Sequence, residues 1–158
     1  MTPDMHDPTK DNQIKLKFQI EPDEDGYPPF RVESVWVTPL PDGTYQVDNI
    51  PFFAYDAADG DVVSGQEIDG ELFFDHLVRP SGNSVVRIIV HDEASIPDVR
   101  AQLTALGCDT EWWGKLVTIN VPADVPYDPV YQFLDAGETT GRWGFEESVL
   151  KHPLAESP

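Results

Sequence analysis

Cysteines, basic residues and long apolar runs are all scarce in this chain, and each scarcity excludes a class of protein. With Cys108 as its lone cysteine among 158 residues, the chain cannot form an internal disulfide. No apolar stretch approaches the roughly 20 residues that a transmembrane helix needs. Residues 1–13 are polar and lack the apolar segment of a signal peptide. We therefore expect a cytoplasmic protein that makes no membrane contact.

The shortage of bases gives the strongest signal. Ten lysines and arginines face 29 aspartates and glutamates, so the formal net charge is −19. The excess is spread along the chain, with 17 acids against 5 bases in residues 1–80 and 12 against 5 thereafter. Such a field repels nucleic acid and attracts basic surfaces from a distance. We expect a basic protein partner and no nucleic-acid partner, although acidity that serves only solubility is the alternative.

The spacings typical of metal and catalytic sites are also missing. The four histidines form no i, i+4 pair and there is no Cys-x-x-Cys pair, so neither a metal nor another cofactor is predicted. Cys108, His91 and Asp92 would form a cysteine–histidine–acid set only if the fold brought them together, which spacing alone does not test. No phosphate loop or nucleophile elbow is present. A binding protein is therefore favoured over an enzyme, and no catalytic residue is assigned.

Residues 14–80 carry the pattern of an all-β structure. Apolar residues alternate with polar ones over 14–20, which is typical of a half-buried strand. Similar runs follow at 30–40, 44–50, 61–68 and 71–78, and the last two flank Asp69-Gly70, a strong hairpin signal. Short strands separated by regular turns predict a small β-barrel or a curled antiparallel sheet.

Residues 81–150 change character because two helices alternate with the strands. Ser95 is expected to open the first helix and Gly107 to stop it. Asp128 is expected to cap the second helix, and Gly137 or Gly141 to end it. Strands are predicted at VVRIIV (85–90), CDTEWW (108–113), LVTINV (116–121) and RWGFEESVL (142–150).

The resulting order, β-α-β-β-α-β, is that of a ferredoxin-like sandwich, so the whole chain is predicted to be α+β. Eight residues of the second half are expected to be buried, namely Val86, Ile88, Val99, Leu103, Val117, Ile119, Phe133 and Leu134. Residues 1–13 are predicted to form a flexible arm and residues 151–158 a tail.

Several separate segments resemble one bacterial family. The run EDGYPPFRVESVWVTPLPDGTYQVDNIPFFAYDAADGDVV (24–63) resembles DUF4265, as do SGNSVVRIIVHD (81–92), LGCDTEW (106–112) and GRWGFEESVL (141–150). The resemblance covers roughly residues 14–150. It implies one coherent domain but no activity and no catalytic residues, because the family is defined only as a domain of unknown function.

The candidate contacts to a partner are acidic and aromatic. Acids in turns are free to face a partner, and exposed tryptophans are common interface anchors. Trp112 and Trp113 are neighbours on one strand and should face opposite ways, so one is expected to pack against the helices. The other is then either covered by the first half of the chain or exposed. The candidate residues are Asp23, Glu24, Asp25, Asp56, Asp59, Asp61, Asp75, Glu111, Trp112 and Trp113.

Two functional hypotheses follow from these patterns. The first is an acidic cytoplasmic protein that neutralises a basic partner, most concretely an immunity protein that inhibits a toxin enzyme domain such as a nuclease. The alternative is a ferredoxin-like regulatory module that senses a small ligand or assembles with a partner protein.

Overall fold

The computed structural model describes residues 12–153, and the chain divides into two compact units between Ser81 and Gly82. Both units contain a β-sheet, and the two α-helices belong to the second, so the predicted α+β class is confirmed. Among the described residues, no helix has the length and apolar character needed to cross a membrane. Most of the predicted arm (residues 1–11) and of the predicted tail (residues 154–158) lies outside the described residues.

The first unit is a closed five-stranded barrel, as one of the two predicted forms required. Neighbouring strands from β1 to β5 pair antiparallel, and β1 pairs in parallel with β5 at Lys17 and Phe73 to close the barrel. The strands are β1 (Ile14–Gln19), β2 (Val32–Pro39), β3 (Tyr45–Val47), β4 (Val62–Ile68) and β5 (Glu71–Arg79).

Alternation along the strands fills the barrel with apolar side chains. Leu16 and Phe18 of β1 are fully buried, and the Phe18 ring stacks on Phe74 at a centroid distance of 4.8 Å. Burial of each such side chain contributes about 1.5–3 kcal/mol. Ile14, at the start of the same alternation, is 39% exposed. The alternation therefore identifies the interior positions of β1 correctly, except that it also includes the exposed Ile14.

The hairpin of β4 and β5 has the predicted Asp-Gly turn. Asp69 and Gly70 have φ angles of 54° and 82°, the left-handed pair that a two-residue hairpin turn requires. A register shift between Ser64 and Gly65 then interrupts the pairing of the two strands. Near this shift both Asp75 and His76 are exposed, although consecutive residues of a regular strand face opposite sides.

The second unit has the predicted order β-α-β-β-α-β. Its sheet runs β7-β8-β6-β9 with all neighbours antiparallel, and one apolar cluster contains residues of both helices and of alternate positions on β6 and β8. Both helices therefore cover the same face of the sheet. The elements are β6 (Ser84–Val90), α1 (Ile96–Ala105), β7 (Asp109–Trp113), β8 (Leu116–Val121), α2 (Tyr127–Thr139) and β9 (Trp143–Val149).

The predicted start of the first helix is confirmed in position, whereas that of the second is wrong. Ser95 does precede α1, but its side chain makes no capping bond to the helix, and its Oγ donates to the Asp92 carbonyl at 2.7 Å. A short 3₁₀ turn, Glu93–Ser95, precedes α1 and is capped by Asp92. The prediction that Asp128 caps α2 is wrong because the helix begins at Tyr127, directly after the extended Pro126. Asp128 lies instead in the first turn, where a carboxylate still favours the helix dipole.

Gly137 does not end α2, because the helix continues through it to Thr139 and the left-handed Gly141 follows. A Cβ on Gly137 would lie 2.0 Å from the Trp143 ring, which is buried and donates its Nε1–H to the Leu134 carbonyl at 2.9 Å. Glycine is therefore required here by packing. Seven of the eight predicted core residues are buried, and Phe133 is only half-buried beside that ring.

Packed structure extends past two predicted boundaries. Gln13, assigned to the arm, is buried and its side-chain amide donates to Asp48. His152, assigned to the tail, is also buried; its Nδ1 lies 2.6 Å from the Ser84 Oγ and its Nε2 lies 2.8 Å from the Pro122 carbonyl oxygen. Polar residues at the ends of a chain were expected to be loose, but here each has specific hydrogen-bond partners.

Candidate functional site

Two predicted acidic segments of the first unit come together in space. The loop after β1 places the Tyr27 ring 6.2 Å from the Phe53 ring, and Phe30 lies 5.6 Å from the same ring, centroid to centroid. Phe53 is buried and lies two residues before Tyr55, which is 58% exposed. The Tyr27–Phe53 contact therefore joins the loop that carries Asp23, Glu24 and Asp25 to the segment that carries Asp56.

The loop of residues 21–27 is organised by Asp23. Its Oδ1 accepts hydrogen bonds from the backbone N–H groups of Asp25 at 2.9 Å and Tyr27 at 3.0 Å. Gly26 adopts a φ of 78° and donates its N–H to the Asp23 carbonyl at 2.9 Å. This turn leaves Glu24 and Asp25 exposed at its tip, while the Asp23 carboxylate already has two backbone partners.

The facing segment is held by Glu33, a residue that the sequence analysis missed. Glu33 lies on β2, is 2% exposed, and accepts the backbone N–H groups of Phe52, Phe53 and Ala54 at 2.5, 2.9 and 2.8 Å. A carboxylate can be buried when such donors surround it. A signal was available in the sequence, because Glu33 shares its alternation with the interior residues Val35 and Val37.

We call the resulting patch the acidic tyrosine surface. Tyr27 is 45% and Tyr55 58% exposed, and the nearest bases along the chain, Lys17 and Arg31, lie outside residues 21–27. Carboxylates pair with lysine and arginine, and tyrosine rings supply large contact area with little conformational freedom to lose. This combination suits a basic protein surface. The acidic tyrosine surface consists of Glu21, Asp23, Glu24, Asp25, Tyr27, Tyr55 and Asp56.

The prediction that Asp61 contacts a partner is wrong, because this residue has a structural role. It is fully buried, and its carboxylate accepts the Ala58 N–H at 2.9 Å, the Ser81 N–H at 2.8 Å and the Ser81 Oγ at 2.9 Å. Asp59 is half-buried, and its carbonyl also accepts from the Ser81 Oγ. A buried carboxylate with three donors is not available to another protein.

Asp75 belongs to a separate exposed cluster on β4 and β5. Its Oδ2 lies 3.0 Å from His76 Nδ1, and the Ser64 Oγ lies 2.7 Å from the same nitrogen. A hydrolytic serine–histidine–acid triad places its serine and its acid on opposite nitrogens of the imidazole. The Ser64 cluster therefore lacks the geometry of such a triad.

Glu111, Trp112 and Trp113 lie on β7 of the second unit. The Arg100 guanidinium stacks over the Trp112 ring at 3.9 Å, and the two tryptophans are 47% and 36% exposed. Burial raises the pKa of Glu111 above its usual value, and Arg100 opposes this effect. Trp112 contacts a helix as expected for one of the pair, yet both rings keep exposed area. The predicted contacts are thus divided between the two units.

The cysteine–histidine–acid set is not assembled. Cys108 is buried, and burial followed by the charge of Asp109 raises the pKa of its thiol to about 11. Asp109 pairs with Asn120, which pairs with Val85 near the start of β6, whereas His91 follows the end of that strand. At about 3.3 Å per residue the cysteine and histidine are roughly 20 Å apart. Within residues 12–153, no group of three or more histidine, cysteine or acidic side chains could hold a metal.

A solved structure shares the fold of the chain. It is described as "Novel crystal structure of a hypothetical protein from Neisseria gonorrhoeae", and the match has a TM-score of 0.74 at 26% sequence identity. The match covers 87% of this chain and 96% of that one. No curated protein matches the chain.

The family resemblance predicted from the sequence is confirmed. The family described as "Domain of unknown function (DUF4265)" matches residues 33–145, which include Glu33, the segment it holds and the second unit as far as Phe145. Since this match spans most of the sequence, the chain belongs to the DUF4265 family.

Proposed function

We propose that this protein works in the cytoplasm as an acidic binding protein that neutralises a basic partner protein through the acidic tyrosine surface. Its most concrete form is an immunity protein that inhibits a toxin enzyme domain such as a nuclease. The observation that carries the proposal is the contact between the Tyr27 and Phe53 rings, which joins two segments that each carry exposed acids and an exposed tyrosine.

The surface combines long-range attraction with a rigid contact. A net charge of −19 accelerates the approach of a basic protein, because clustered charge steers association. Asp23 and Glu33 fix the two segments through backbone hydrogen bonds, which reduces the ordering cost of binding. The tyrosine rings then supply the anchoring contacts, which mainly slow dissociation.

The test is association kinetics with a basic protein captured from the native host at low salt. Replacing Glu24, Asp25 and Asp56 by lysine should slow association by about tenfold or more, because steering by clustered charge contributes 10–10³-fold. The matched control replaces Glu67, Asp124 and Asp135, which are exposed elsewhere, and changes the net charge equally. It should slow association much less. Raising the salt concentration should reduce the difference between the two variants.

Two outcomes would contradict the proposal. If both triple variants slowed association equally, net charge rather than this surface would be responsible. If neither variant nor salt changed the rate, the acidity would serve only solubility. The proposal expects Tyr55→Ala to dissociate faster from the basic partner. In either contradicting case this variant should dissociate at the wild-type rate.

An open surface pocket in the second unit favours the second candidate, a ferredoxin-like regulatory module that senses a small ligand. The pocket has a volume of about 420 Å³, and Tyr127, Asp128 and His152 contribute to its wall near the start of α2. The strand order β7-β8-β6-β9 and the shared helix face support the ferredoxin-like assignment. A small molecule that raised the unfolding temperature of the chain, but not that of a variant with Asp128 replaced by lysine, would support this candidate.

A further inference from the structure

The outer edge of β7 combines backbone groups that β8 does not use with exposed tryptophans. β7 is the first strand of the sheet order β7-β8-β6-β9, so among the described strands it pairs only with β8. Its sequence, Asp-Thr-Glu-Trp-Trp, has two acids and two large aromatic residues. An exposed strand edge is a template for pairing with another chain, and proteins usually protect such edges.

The turn between β7 and β8 determines which backbone groups point outward. Gly114 and Lys115 form a two-residue turn, so Trp113 and Leu116, which flank it, exchange backbone hydrogen bonds. Hydrogen bonding alternates along an antiparallel strand, and the backbone groups of Thr110 and Trp112 therefore point away from β8. The Thr110 carbonyl agrees with this assignment, because it accepts a long bond of 3.3 Å from the Arg100 Nη2.

On the opposite edge of the sheet, the chain itself supplies an acceptor for one backbone N–H group. On β9 the Phe145 N–H donates to the Glu138 Oε2 of α2 at 3.1 Å. On β7, Arg100 of α1 donates its Nε–H to the Thr110 Oγ1 at 2.9 Å and its Nη2–H to the Thr110 carbonyl at 3.3 Å, so both bonds use acceptors of Thr110 and leave its N–H group unused. Within the described residues, the outward N–H groups of Thr110 and Trp112 therefore make no hydrogen bond, whereas the Phe145 N–H on β9 does, and these two groups can accept an added strand.

We propose that the outer edge of β7 docks an extended segment of a basic protein, which adds to the sheet as a further strand. Main-chain hydrogen bonds to Thr110 and Trp112 would supply affinity, as in other cases of strand addition. Trp113 lies on one face of the strand and Trp112 on the other, so the added strand would meet an aromatic ring on each face.

Charge selects the occupant. Asp109 and Glu111 lie on the same face of β7 as Trp113, because they alternate with it along the strand. A second copy of this chain would bring the same acids opposite them, and like charges on neighbouring strands are destabilising. Lysine or arginine on an added strand would instead pair with them. The choice of a basic occupant rests on the proposed function, whereas the docking of a strand does not.

The test uses amide hydrogen exchange, measured by NMR on the whole chain. The probe is a synthetic peptide of about eight residues in which lysine and valine alternate, the usual length of a strand. At about ten times its Kd, the peptide should slow exchange at the amides of Thr110 and Trp112 about tenfold, because exchange there requires the free edge. The matched peptide with glutamate in place of lysine should not slow it. Slowing by both peptides, or by neither, would overturn the proposal.

Two variants at Thr110 separate docking at the edge from other binding. Thr110→Pro removes an outward N–H that β8 does not use, and proline is tolerated on edge strands, so this variant should stay folded and lose the peptide. Thr110→Val keeps this N–H group and should still bind the peptide. If the proline variant unfolds, the double variant Asp109→Lys with Glu111→Lys gives a second test, and it should prefer the glutamate peptide. An unchanged preference would overturn the proposal.

The same peptide distinguishes this inference from the proposed function. The variant with Glu24, Asp25 and Asp56 replaced by lysine lies in the first unit and should bind the peptide as the wild type does. Failure of the kinetic test with peptide binding intact would refute the acidic tyrosine surface alone. Intact kinetics with no protection at Thr110 and Trp112 would refute the β7 site alone.

Discussion

The two units satisfy the hydrogen-bonding groups of their buried backbone in different ways. In the first unit, long segments connect the strands, and the buried carboxylates of Glu33 and Asp61 accept the N–H groups of those segments. As far as residue 153, the second unit has two α-helices and an apolar cluster of 14 buried residues, and none of its carboxylates in this range is buried. Helices satisfy their own backbone, so they need no such acceptors.

This difference matters for the proposed function. In the first unit, acidic residues have two roles. Asp23 and Glu33 hold the loops through backbone hydrogen bonds. Glu24, Asp25 and Asp56 face solvent and provide the charge. Counting acids alone therefore overestimates the number available to a partner. The comparison predicts that substitutions of buried carboxylates damage the first unit, and substitutions that disturb packing damage the second.

The largest effect is expected for Glu33→Ala. The substitution leaves the N–H groups of three consecutive residues, 52–54, without their acceptor, and each unsatisfied buried donor costs about 1–3 kcal/mol. We expect the first unit to lose about 4 kcal/mol of stability. Amide exchange should accelerate in residues 14–80 and remain unchanged in β6 to β9.

Glu33→Gln is the matched control for this prediction. It keeps the size of the side chain and one acceptor oxygen, so it should cost less than the alanine variant. Faster exchange in both units of Glu33→Ala would contradict the comparison, because it would mean that the carboxylate stabilises the chain as a whole.

Gly137→Ala is expected to have the next largest effect, in the second unit. The added methyl group would overlap the Trp143 ring, and overpacking of this kind typically costs about 1–3 kcal/mol. Cys108 provides the readout, because the lone thiol is buried and reacts with a thiol reagent when this unit opens. Labelling should accelerate in Gly137→Ala. The control, Gly144→Ala, lies on β9 with open space around it and should label at the wild-type rate.

These substitutions also show where the sequence was informative. The turn at Asp69-Gly70 and the order of elements followed from local patterns, because a turn type or a strand period is set by adjacent residues. Gly137 was one of two predicted ends of the second helix, with Gly141, since nothing local reveals that a tryptophan six residues later fills the space beside Gly137.

The candidate site was harder to predict than the fold. The acidic turns at 21–25 and 56 were identified, but their convergence depends on the contact between Tyr27 and Phe53, which are 26 positions apart. Asp61 was assigned to the surface because an acid in a turn is usually exposed, yet the N–H groups of distant residues bury it. Burial of a carboxylate is decided by tertiary donors, which sequence spacing does not show.

The smallest effect is expected for Glu111→Gln. This substitution sharpens the comparison of the two units, because Glu111 is a half-buried carboxylate of the second unit that lacks backbone donors among the described contacts. Burial raises the pKa of Glu111 above 4.5, and Arg100 offsets this only in part. The folded state therefore binds more protons than the unfolded state near this pH, so stability falls as pH rises through 4.5 and the folded pKa. The glutamine variant lacks this loss. It should match the wild type at pH values below the usual glutamate pKa and be slightly more stable at neutral pH, a small gain because solvent screens a half-exposed group. Urea unfolding of both proteins across this pH range measures the difference.

The control Glu67→Gln, at an exposed position on β4, should show no such dependence. A glutamine variant that was less stable at neutral pH would show that the Arg100 charge dominates, and that a carboxylate supports the second unit as it does the first.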